Sequence, residues 1–211
     1  MVDVLYAHTY GKQKIRFTGG GMEASTIILI CGIILAMFGT IDGLLMDIGV
    51  KKINFIFFLI ALLAFSGQKV ELIQEIILAP APFVLMALAT KCRRQMRGAK
   101  NFVMTLLFAI FAAGVTRMIE SELVVYAMAL GMGILSMVLA LEPGNAILFG
   151  AYIWPTAYAI IAVVEFIMYS YAEFDMYGSG VLNLQLVSAG AGAVLCRVRK
   201  YTYKLVKRRI A

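Results

Sequence analysis

Seven successive stretches of this chain, 26–45, 53–65, 76–89, 102–116, 122–141, 146–171 and 178–196, are almost free of charge. A water-soluble fold of this length buries only about 70% of its unfolded surface, too little to hide them all. Composition agrees: 62% of residues are hydrophobic and 15% charged, against about 45–50% and 25% in soluble domains. In hydrocarbon a helix satisfies its own backbone hydrogen bonds. The expected fold is therefore all-α: a polytopic integral membrane helix bundle of six to seven hydrophobic segments. The same numbers exclude a disordered chain and a nucleic-acid-binding domain.

Three regions are expected: a polar leader (1–22), a transmembrane helical domain (23–196) and a basic cytoplasmic tail (197–211). The first apolar run lacks a small-residue cleavage signature, so it reads as an uncleaved membrane helix rather than a signal peptide. Ser25 is its expected N-cap, and the helix is expected to continue to Leu45. Gly32, Ala36, Gly39 and Gly43 then fall on one stripe, and small residues let helices approach closely in lipid. Gly133 and Ser136 form a similar packing stripe in the fifth run.

Prolines interrupt two runs. Pro80 and Pro82 predict a broken or re-entrant segment, and Pro155 a break in the longest run, since each proline removes a backbone donor. Glu142-Pro143-Gly144-Asn145 predicts a tight turn between antiparallel helices.

Charge sets the sidedness. The 91–100 loop carries five Lys or Arg and the tail seven, both without an acid, which places both in the cytoplasm. Four spans lie between them, an even number, so the two assignments agree. Arg117, Glu120, Glu122, Glu173 and Asp175 then fall outside. In the N-terminal half, six spans with the leader inside put more Lys and Arg in the cytoplasm than seven do. Six is the favoured count, although it leaves Lys51 and Lys52 outside. The expected location is the cytoplasmic membrane, multi-pass, with a cytoplasmic C-terminus.

Glu165 is the leading candidate for function. An acid inside a membrane segment normally faces a bundle interior or a cavity. Helical spacing aligns it with Tyr158 and Tyr169, whose phenols are expected to hold it as a proton- or cation-responsive group. Asn183 and Gln185 are further candidates for substrate or ion binding, although two residues apart they face different sides of a helix. The three cysteines, Cys31, Cys92 and Cys196, read as free thiols, with Cys31 packing as a small hydrophobe. His8 has no second ligand nearby, so no metal site and no cofactor are expected. Motifs of hydrolases and nucleotide-binding enzymes are missing from the sequence, so no enzymatic activity is expected.

The functional expectation is a small transporter or transport-related permease subunit. The alternative is a non-catalytic structural or assembly protein that docks partner membrane proteins. Expected partners are the lipid bilayer and other membrane proteins or further copies of the chain; nucleic acid is not among them.

Overall fold

A computed structural model describes residues 24–66, 68, 70–73, 76–91, 98–118, 121–140, 142–169 and 179–210. The leader with His8, Cys92 and the centre of the 91–100 loop, and Glu120, Glu173 and Asp175 lie outside them. The described chain is helical apart from one β-hairpin. Its elements are α1 (Ala24–Met37), α2 (Asp42–Ile48), α3 (Lys52–Ser66), β1 (Val70–Ile73), β2 (Ile76–Leu78), α4 (Pro80–Lys91), α5 (Gly98–Met118), α6 (Glu122–Leu139), α7 (Pro143–Tyr169) and α8 (Ser179–Ile210).

By length and composition, three helices could cross a membrane: α6, α7 and α8. Counting the bent α1–α2 pair as one span makes four. That is fewer than the six to seven expected. The remaining apolar helices, α3, α4 and the apolar part of α5, are short. At 15 residues, α3 extends about 22 Å, against a hydrocarbon core of about 30 Å.

The expected helix from 26 to 45 is instead broken. Gly39 adopts a left-handed φ of 76°, Thr40 N–H reaches Leu35 O and Gly39 N–H reaches Ala36 O. This is a Schellman stop, for which glycine is the favoured residue. α2 leaves at 97° to α1, so Gly39 and Gly43 do not extend the Gly32–Ala36 stripe. Gly32 still meets Leu59 of α3, whereas Gly43 lies under the Arg197 guanidinium. Ser25 is a helical residue, fully buried, rather than a cap. Cys31 is exposed on α1 rather than packed inside.

Pro80 and Pro82 do not break a helix either. They occupy the first turn of α4, where backbone amides have no intrahelical acceptor and proline forfeits nothing. The chain reverses just before them, through the antiparallel β1–β2 pair with an irregularity between Glu71 and Ile73. Pro143 likewise opens α7, so the expected turn tetrapeptide is mostly the helix's first turn. Pro155 does not break its run as expected: α7 continues as one helix through it.

The centre of the molecule is α7 and α8, packed on each other and flanked by α4, α5 and α6. Glycine and serine decide how close they come. A Cβ on Gly150 would sit 2.5 Å from Ala189 N, and one on Gly192 2.1 Å from Ser136 Oγ. A Cβ on Gly133 would meet Ala191 and the Ser188 carbonyl. The Gly133–Ser136 stripe therefore does pack a helix, with α8 as its partner. Trp154, Ile153, Ala129 and Leu184 fill one apolar cluster around this seam, and Leu29, Leu62, Leu148 and Leu182 a second.

Ion pairs order the ends. Asp47 accepts from Arg197 (3.0 Å) and Lys200 (2.6 Å), and Lys52 pairs with Asp42 (3.5 Å). Residues 42–52 thus share an end of the bundle with the start of the basic tail. The six-span reading had separated them, leaving Lys51 and Lys52 opposite the tail; the structure reverses that. The tail itself continues α8 as helix to Ile210.

A Gly150→Ala variant is expected to lose thermal stability in detergent, by about 1–3 kcal/mol for an overpacked contact against backbone. Gly131→Ala, with nothing within 4 Å, should be neutral or slightly stabilising. Equal melting temperatures for the two would refute the close α7–α8 seam.

Candidate functional site

Two polar regions emerge, one inside the bundle and one at its edge. The interior one starts from Pro155. Its ring nitrogen cannot donate to the carbonyl four residues back, that of Ala151. An orphan carbonyl buried in an apolar surround costs about 1–3 kcal/mol. Gln185 of α8, fully buried, fills the gap: its Nε2 donates to Ala151 O at 2.6 Å and lies 3.4 Å from Pro82 O. One side chain so ties α8 to the carbonyl that Pro155 frees within α7 and to the first turn of α4. Ser188, one turn on, donates to Leu184 O (2.8 Å) and reaches Gly150 O at 3.1 Å.

Asn183 faces another way. Its Nδ2 donates to the Tyr126 hydroxyl of α6 at 3.0 Å. Tyr126 and Tyr158 pack on the same apolar cluster as Trp154. Asn183 and Gln185 hence form no single site, as their two-residue spacing implied; they flank α8 on two sides. What they share is incomplete satisfaction. Asn183 Oδ1, Gln185 Oε1 and Trp154 Nε1 are buried with no hydrogen-bonding partner among the described residues. Buried polar atoms are paired in the large majority of cases, so such groups mark places for a water, an ion or a ligand.

The edge region contains Glu165. Its expected partners are Tyr158 and Tyr169, of which the Tyr169 side chain lies outside the described residues. Its partner is Arg117, in the last turn of α5, which donates from Nη1 to Glu165 Oε1. Tyr158 sits two turns deeper in α7, partly buried, and Tyr169 ends the helix, its side chain outside the described residues. Glu165 is 22% exposed and Arg117 60%. The carboxylate therefore belongs to an ion pair on the rim rather than to a sealed interior. Sequence reasoning treated Arg117 only as an outward-facing charge. The available signal was that Arg117 and Glu165 close neighbouring helices at the same end of the bundle.

Below the pair runs a furrow of about 280 Å³ between α5 and α7, lined by Ile110, Ala113, Gly114, Ile160 and Val164. At the other end of the bundle, Ala140, Cys196, Arg199, Lys200 and Tyr203 line an open hollow of about 500 Å³. Cys196 is buried there, its thiol 3.4 Å from Ala140 O. Among the described residues no group of three or more His, Cys, Asp or Glu could hold a metal. No family model matches the chain, and neither a curated protein nor a solved structure is similar to it.

The Ala151 carbonyl gives a double-mutant prediction. Gln185→Leu should destabilise the protein by about 1–3 kcal/mol, the cost of an orphaned carbonyl. Adding Pro155→Ala restores an amide donor to Ala151 and should recover much of that loss. Additive destabilisation in thermal melts would show that Gln185 does not act through that carbonyl.

Proposed function

We propose that this chain is a small transporter or transport-related permease subunit of the cytoplasmic membrane, its C-terminus in the cytoplasm. One observation carries the reading: the amide oxygens of Asn183 and Gln185 and the indole N–H of Trp154 are buried around α8 with no hydrogen-bonding partner among the described residues. Two acceptors and one donor suit a small polar solute that both donates and accepts hydrogen bonds. Asn183 and Gln185 lie on two sides of α8, which favours separate weak contacts over one tight site. The Tyr126 hydroxyl adds a polar group beside Asn183. The Arg117–Glu165 pair stands apart from these atoms, at the rim of the α5–α7 furrow. Glu165 is in this scheme half of a charge pair outside the solute path, which runs beside α8.

A second reading, assembly, has its own support. α8 spans 32 residues, about 48 Å, so it outruns a 30 Å core by several turns. The extension exposes Tyr201, Tyr203, Leu205 and Val206 beside its basic residues. Such a rod suits docking of a partner protein.

Proteoliposomes separate the two. With glycerol and urea as neutral probes and sodium and protons as ionic ones, stopped-flow assays should detect flux of at least one neutral probe. Asn183→Leu should slow it about tenfold, equivalent to roughly 1.4 kcal/mol of lost contact. Flux unchanged in that variant would remove Asn183 from the solute path, and no flux for any probe alongside stoichiometric co-purification of a partner would replace transport with assembly. For sidedness, a cysteine at position 204 in a Cys31, Cys92 and Cys196 to Ser background should react only with reagents admitted to the cytoplasm. Labelling in intact cells by an impermeant maleimide would invert the topology.

A further inference from the structure

We propose that the furrow between α5 and α7 is a phospholipid site, taking an acyl chain on its apolar floor and an ethanolamine headgroup at the Arg117–Glu165 pair. The furrow opens outward. Ile110 and Val164 on its lips are each 51% exposed and Met168 is 69% exposed. On a membrane-embedded bundle, such apolar side chains face hydrocarbon, and what enters a groove there is a lipid chain. At about 280 Å³ it has room for a run of methylenes rather than a whole lipid. Gly114 leaves space in its floor, since a Cβ there would meet nothing within 4 Å.

The polar end selects the headgroup. Arg117 has five N–H donors and gives one to Glu165. With 60% of its side chain exposed, its remaining donors can reach a phosphate, which guanidinium binds well. Glu165 has two oxygens and more lone pairs than one donor fills. The pair is neutral overall, so it offers no net attraction for an anionic lipid. A zwitterion matches it charge for charge, phosphate on Arg117 and ammonium on Glu165. A primary ammonium also donates hydrogen bonds to the carboxylate, which a quaternary choline cannot. That difference is the basis for expecting ethanolamine over choline. The proposal does not rest on transport, since the furrow lies on the outer face and leaves the α7–α8 seam untouched.

The test uses the purified full-length protein in detergent, offered an equimolar mixture of dioleoyl phosphatidylethanolamine, phosphatidylcholine and phosphatidylglycerol. Retained lipid is read by native mass spectrometry. The ethanolamine lipid should be retained roughly fivefold over the other two, the scale of one partly exposed ion pair. Gly114→Leu fills the floor without touching the charged pair. It should cut retention of all three lipids several-fold while the melting temperature holds. Glu165→Gln should erase the preference for ethanolamine over choline and leave chain binding. Equal retention of the three lipids, preference for phosphatidylglycerol, or full retention in Gly114→Leu would each overturn the proposal.

Discussion

Backbone polar groups in a low-dielectric interior must find partners within the protein, and the architecture follows from how that demand is met. Helices meet it locally. The exception is Pro155, which strips the Ala151 carbonyl of its donor in the middle of the longest apolar helix but one. Gln185 meets that carbonyl from α8 and in the same stroke fixes the rotation of α8 against α7. Close approach at Gly150 and Gly192 makes the contact reachable. Association in lipid depends on packing and on such bonds, because apolar burial alone gains little there. The α7–α8 seam therefore supports the rest of the bundle.

The same rule explains the irregular N-terminal half. Reversals between short helices need backbone arrangements that leave few orphans. Schellman stops at Gly39 and Gly49 return carbonyl partners to the ends of α1 and α2, and the hairpin between α3 and α4 pairs its strands with each other. Charges collect where water reaches. Asp47 gathers Arg197 and Lys200 at the basic end, and Arg117 meets Glu165 at the other, so neither end leaves these acids uncompensated.

Legibility differed sharply between residues of the same type. Gly133 and Ser136 share one side of an unbroken α6, and both lie against α8. Gly39 and Gly43 obeyed the same spacing and misled, since glycine serves both close packing and left-handed turns and the spacing does not say which. Pro80 and Pro82 resembled a break but sit where a helix begins. Pro155 resembled a break as well, but α7 runs through it, and the partner of the carbonyl it frees lies 34 residues away. Glu165 stood out as an acid in an apolar run. Its true partner was hidden because Arg117 is 48 positions distant and two nearer tyrosines offered a local alternative.

By itself the sequence determined the solvent and the helical class, because apolar runs of this number have no soluble solution and hydrocarbon admits few backbone forms. It also marked which helices carry polar atoms. Only the tertiary structure decided which runs are long enough to span, where the first helix stops, and which polar groups meet. Those outcomes depend on the distance and rotation between helices, set by contacts among residues far apart in the chain, and hydrophobic periodicity carries no record of them.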